Sequence, residues 1–268
     1  MADPAQSFIA WTRAELAGAG LERVERDGLV SFRGGSGEET IVLLHGVNDQ
    51  AGTWCTVVPR LAQFRVIVPD LAGHGESAPQ EGPLSMETIL AGVDAAVERV
   101  DRFTLVGNSM GGWVAMLYTL AHPERVERLI LEDASGMAWP LTVPLFPRTR
   151  EEAVTCLRAV HGPAAELQEW MIDAMLQRAV SAPATRVVQA GVMAHLLDGR
   201  LGNLTTPTTL IWGRDDGLLP IPYAETLQKR IAGSTLHVID GAAHIPHRQQ
   251  PERFLTCLLE TFSASAPA

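Results

Sequence analysis

Gly107-Asn108-Ser109-Met110-Gly111 lies between an apolar run, Phe103-Thr104-Leu105-Val106, and a helix-like stretch from Gly112 to Ala121. A serine with glycines two residues away on each side, at a switch from strand to helix, describes a sharp turn. That turn lifts one hydroxyl above the end of a sheet. The spacing has a steric cause. The serine takes a strained backbone conformation, and side chains at 107 and 111 would strike the neighbouring strand and helix. The bland alternative is a glycine-rich turn with a helix-capping serine; the flanking pattern and the partners found below argue against it.

The rest of the chain supplies the sheet. Apolar runs recur at 41–44, 65–69, 103–106, 129–131, 209–212 and 236–239, with helical spacing at 53–63, 86–100, 111–121, 221–231 and 251–262. Runs that are apolar at every position suit parallel strands buried on both faces. Two further strands are expected near 21–26 and 29–33, split by the turn pair Asp27-Gly28, after an N-terminal helix over 4–20. This alternation predicts a doubly wound α/β fold with right-handed crossovers. One interval breaks it. Between Leu131 and Thr209 the pattern is helical throughout: Thr149 and Glu152 form a capping box that opens one helix, and helices are expected over 163–177 and 183–197. The chain therefore divides into a core, 1–135 and 204–268, and a helical cap, 136–203, that serves as a lid or as a peripheral subdomain.

A serine hydroxyl is a weak nucleophile until an oriented base takes its proton. Trp212-Gly213-Arg214-Asp215-Asp216 follows one later strand and Gly241-Ala242-Ala243-His244 follows another. Ser109, Asp216 and His244 thus each stand just past a strand's carboxyl end, where open α/β sheets place their ligands. Asp216 is preferred as the acid, with Asp215 and Asp133 as alternatives. Asp240 reads as a turn residue, and His237 and His247 as structural or exposed. Donors for a developing oxyanion are assigned to the backbone N–H groups of Met110, at a helix start, and Val47, in the loop His45-Gly46-Val47-Asn48. The His45 ring is expected to buttress that loop. Asp70 to Ser77 is rich in glycine but lacks the lysine and following helix of a phosphate cradle.

The formal charge of −10 over 268 residues, without a basic stripe, disfavours nucleic acid and anionic membranes. No apolar run approaches a membrane span, and the first residues lack the features of a signal peptide. Cys55, Cys156 and Cys257 have no metal-type spacing and read as reduced thiols, so a cytoplasmic location is expected. A monomer and a homodimer both fit.

Leu43-Leu44-His45-Gly46, Asp70 to Ser77, Gly107 to Gly112, Trp212 to Asp216 and Gly241 to Pro246 together resemble the α/β-hydrolase superfamily. The resemblance implies a mostly parallel eight-stranded sheet flanked by helices, with the cap inserted after the sixth strand. It implies no metal and no organic cofactor, and a small-molecule substrate. Within the superfamily the elbow is similar both to serine carboxylesterases or lipase-like esterases and to hydrolases of carbon–carbon bonds in meta-ring-fission products. The latter usually carry tryptophan after the catalytic histidine, where this chain has Ile245, and use a cap arginine to hold an acidic substrate, for which Arg178 and Arg186 are candidates. These departures favour an esterase over a carbon–carbon hydrolase, and both over a non-catalytic ligand receptor. Asn108, Trp139, Phe146, Met171, Met175 and Ile245 are the candidate substrate contacts. For the apolar cap residues the alternative is that they merely bury cap helices against the body.

Overall fold

The sheet has eight strands: β1 (Glu22–Arg26), β2 (Leu29–Gly34), β3 (Thr40–Leu44), β4 (Arg65–Pro69), β5 (Phe103–Asn108), β6 (Val126–Glu132), β7 (Thr208–Gly213) and β8 (Thr235–Ile239). The computed structural model describes residues 3–263, side chains at 178–181 excepted. The strands lie in the order β1-β2-β4-β3-β5-β6-β7-β8. β2 runs antiparallel to both neighbours, and every pairing from β4 to β8 is parallel. Parallel strands need crossovers, and these put helices on both faces. All five residues of β3 and all six of β5 are accordingly buried.

The helices are α1 (Pro4–Gly18), α2 (Met86–Ala96), α3 (Met110–Ala121), α4 (Arg150–His161), α5 (Glu169–Ser181), α6 (Pro183–Gln189), α7 (Ile221–Arg230), α8 (Pro246–Gln249) and α9 (Pro251–Ser263). Ile89 of α2, Val114 of α3 and Leu227 of α7 share one core with one face of the sheet. Leu16 of α1 and Phe254 and Leu258 of α9 join the core on the other face. α3 lies deepest, with every residue from Met110 to Thr119 buried. Among the described residues no helix is long and apolar enough to cross a membrane.

Helices α4 to α6 all fall between β6 and β7, where the helical interval was expected. The details differ. The expected helix over 53–63 is two 3₁₀ turns, Ala51–Thr56 and Val58–Arg60, because Pro59 lacks the N–H that a continuing helix needs. α2 stops at Ala96. α4 ends at Gly162, whose φ of 96° takes it out of the helix, and α5 begins only at Glu169. The expected third helix ends at Gln189, since Gly191 turns left-handed at φ 80° and a 3₁₀ turn follows. At the start of α4 Thr149 accepts from the Glu152 N–H, but the Glu152 carboxylate reaches Arg148 N–H rather than Thr149 N–H. Only half of the capping box is present.

The glycines of the elbow behave as their spacing requires. A Cβ on Gly107 would stand 2.3 Å from the Gly111 carbonyl oxygen, and one on Gly111 would stand 2.4 Å from that of Leu44. Those atoms are backbone and have nowhere to go. Gly111→Ala is therefore expected to cost about 3 kcal/mol or more of stability, read as a lowered urea midpoint. A midpoint within error of wild type would mean that the close approach is absent.

Burial also ties stability to pH. His74 is buried, and desolvation, followed by the neighbouring His45, pulls its pKa down to about 3. The unfolded ring binds its proton near pH 6.5, so between those values the unfolded chain holds more protons. Stability must then fall as the pH drops from about 6.5 toward 3, by up to about 1.4 kcal/mol per pH unit from this ring. Urea titrations of wild type and His74→Gln at several pH values should differ in slope by about that amount. Parallel slopes would contradict a neutral buried ring.

Candidate active site

Strand β5 delivers Ser109 to the carboxyl edge of the sheet with φ 55° and ψ −119°, outside the regions that ordinary residues occupy. The strain is held by the backbone around it. Ser109 N–H donates to the Glu132 carbonyl at 3.0 Å, and its own carbonyl accepts from Ser135 N–H at 3.0 Å. Among the described residues the Ser109 hydroxyl has no hydrogen-bond partner.

β7 and β8 bring their loops to the same edge. His244 Nδ1 lies 2.8 Å from Asp216 Oδ2, and the two side chains are 7% and 0% exposed. The other Asp216 oxygen accepts from the N–H groups of Leu218 at 2.8 Å and Leu219 at 3.1 Å. A carboxylate fixed on both oxygens orients the ring with Nδ1 toward it and turns Nε2 away. Nε2 has no partner among the described residues.

Of the two alternative acids, Asp215 is exposed. Asp133 is buried at the end of β6, with a carboxylate oxygen within 4.8 Å of ligand atoms on both Asp216 and His244. It accepts from Gly213 N–H at 3.1 Å. Burial, then the facing Asp216 carboxylate, push its pKa well above the usual range. Asp240 is exposed and paired with Arg214.

The loop after β3 passes over the elbow. A Cβ on Gly46 would lie 3.2 Å from Ser109 Cβ. His45 Nδ1–H donates to the Gly46 carbonyl at 2.7 Å, while its Nε2 accepts from Leu71 N–H at 2.9 Å. Gly46 C=O and Val47 N–H belong to one planar trans peptide, so pinning the oxygen points the N–H the opposite way. Asp49 N–H closes the turn onto the same oxygen at 3.3 Å. Met110 opens α3, where its N–H has no acceptor within the helix and meets the positive end of the helix dipole. Backbone donors, a hydroxyl and a buried imidazole–carboxylate pair at one sheet edge are the kinds of group that acyl transfer at a carbonyl uses.

The expected substrate contacts fare unevenly. Asn108 is buried, and its side-chain amide is committed to the carbonyls of His244 at 3.0 Å and Glu132 at 3.4 Å, bracing the elbow against the histidine loop. Trp139 packs edge-on against Tyr223 with centroids 5.3 Å apart. Met171 and Met175 line a small cluster around Ala153, Leu157 and Ile172, which is internal to the inserted helices. Phe146 is exposed, whereas Ile245 is buried beside His244. Arg186 is no anion receptor: its guanidinium donates to the carbonyls of Gly73, Pro79, Glu81 and Gly82. The Arg178 side chain lies outside the described residues. Two features escaped the sequence. Asn48, at φ 63°, accepts from Ala184 N–H at 2.9 Å and ties the loop after β3 to α6. Glu132 and His247 form a buried pair beneath the site.

Comparison with known proteins bears on this geometry. A family model described as "Alpha/beta hydrolase family" matches residues 41–256. The pimeloyl-(acyl-carrier protein) methyl ester esterase of Edwardsiella ictaluri is 31% identical over 247 residues, covering 84% of this chain and 94% of that one. The 2-hydroxy-6-oxononadienedioate/2-hydroxy-6-oxononatrienedioate hydrolase of Cupriavidus pinatubonensis is 29% identical over 251 residues, covering 82% and 86%. Among solved structures, a membrane phospholipase A described as a bacterial virulence factor superposes with a TM-score of 0.80 at 27% identity, covering 98% of this chain and 93% of that chain.

Proposed function

The chain belongs to the alpha/beta hydrolase family, and from that premise we propose that it is a serine hydrolase cleaving carboxylic esters of small to medium, largely apolar acids or alcohols. The observation that carries the reading is the buried His244–Asp216 pair, 2.8 Å apart, at the sheet edge that presents Ser109. His244 Nε2 takes the hydroxyl proton as Ser109 attacks the ester carbonyl. The Met110 and Val47 amides hold the oxyanion, and Asp216 stabilises the imidazolium. The alcohol leaves with the proton from His244. Water, deprotonated by the same nitrogen, then releases the acid and frees Ser109. Residues 136–203 act as the cap over this site, and the chain works without metal or organic cofactor.

The relatives include both an ester hydrolase and a hydrolase of a ring-fission dioate. The commitment of Arg186 to four carbonyls favours the ester, because a dianionic substrate needs a free cation to hold it. A chain-length series of 4-nitrophenyl esters, run beside one coloured ring-fission product, separates the readings. Ester turnover with slow bleaching is expected. Rapid bleaching with much slower ester cleavage would replace this reading with carbon–carbon hydrolysis, and inertness to both would favour a ligand receptor.

A further inference from the structure

Two ionisable side chains outside the triad face each other with no exposed surface: Glu132, the last residue of β6, and His247 in α8. The His247 backbone N–H donates to Glu132 Oε1 at 2.7 Å, and the ring Nδ1–H donates to Oε2 at 2.8 Å. The opposite ring nitrogen meets the Thr53 hydroxyl at 3.0 Å, the Thr56 hydroxyl donates to the His247 carbonyl at 2.7 Å, and the Trp54 ring lies against the imidazole at 4.2 Å. Three segments therefore converge here: the turn that follows the oxyanion loop, the end of β6, and the helix that begins two residues after His244.

The same residues reach the candidate chemistry through short paths. The Glu132 carbonyl accepts from Ser109 N–H at 3.0 Å and from Asn108 Nδ2, and that amide also donates to the His244 carbonyl at 3.0 Å. Two apolar side chains of equal volume would avoid the cost of burying a charged group, while leaving the His247 backbone N–H without its acceptor. What they would lack is direction. Hydrogen bonds to both carboxylate oxygens fix the register of one loop against another, and a misplacement of about 1 Å in a catalytic group can cost roughly 100-fold in rate.

We propose that Glu132 and His247 are a positioning pair that sets the His244 loop against the Ser109 elbow and the oxyanion loop. The proposal rests on the serine-hydrolase reading above.

The test compares Glu132→Leu/His247→Leu with wild type by 4-nitrophenyl butyrate hydrolysis, the rate of labelling by a fluorophosphonate, and thermal melting. The expected double variant stays folded with a lowered melting temperature, because the His247 backbone N–H loses its acceptor, and with kcat and labelling at a temperature well below melting lowered roughly 10- to 100-fold and KM little changed. A folded double variant with kcat within threefold of wild type would overturn the proposal. Should it not fold, His247→Ala and His247→Asn decide. The asparagine amide keeps a donor toward Glu132 and should recover most of the kcat that alanine loses; equal kcat in the two variants at equal melting temperature would also overturn it. The labelling rate separates this proposal from the ester reading. A wild-type protein that labels but spares every ester loses the ester reading alone, and the pair is then judged on labelling.

Discussion

Ser109→Ala is expected to lower kcat for a short 4-nitrophenyl ester by roughly 10⁵- to 10⁶-fold, to the level left by binding and the oxyanion donors. The size follows from what the hydroxyl does and does not do. It has no hydrogen-bond partner among the described residues, so its loss breaks no structural contact. The strained turn is held by backbone groups, Ser109 N–H on Glu132 and Ser109 carbonyl on Ser135, and alanine at φ 55° costs little more than serine. Melting temperature should therefore stay close to wild type while fluorophosphonate labelling disappears. Turnover within tenfold of wild type would place the chemistry on another group.

Asp216→Asn should lower kcat by about 10⁴-fold with the fold intact. The asparagine oxygen must still accept from Leu218 and Leu219 N–H, which turns its NH₂ toward His244 Nδ1. Nδ1 then has to accept, the proton moves to Nε2, and the ring presents the wrong face to Ser109. Asp133 gives the experiment its edge. Burial and the facing Asp216 carboxylate raise its pKa. Asp133→Asn preserves its acceptor for Gly213 N–H and should keep kcat within about tenfold of wild type, as expected of a neighbour that carries no catalytic charge. If the two results are exchanged, Asp133 is the functional acid.

What the sequence disclosed, and what it hid, follows from the range of each interaction. The elbow is legible because its glycine spacing is local, Gly107 being small since Gly111 backbone fills the space of a side chain, although the Leu44 backbone that keeps Gly111 small lies far off in sequence. β3 and β5 are legible because burial on both faces makes most of their positions apolar. Residues 51–60 mislead, since 3₁₀ and α turns place apolar groups at similar intervals and only Pro59 tells them apart. His247 looks like a loop histidine because its partner Glu132 is 115 residues away and its packing ring, Trp54, sits in another segment. Arg186 reads as an anion receptor until its four carbonyl partners, more than 100 residues upstream, are seen. Buried polar groups are paired by tertiary contact, which periodicity does not record.

The cluster around Ala153, Leu157 and Ile172 is separate from both cores that sandwich the sheet. Exchanges at Val154, Leu167, Met171, Met175 and Leu176 act first on the packing of the inserted helices, yet α4 also carries that packing to the triad loops, because its Ala159 and Val160 carbonyls accept from Gly217 and His244 N–H at 3.0 and 3.1 Å.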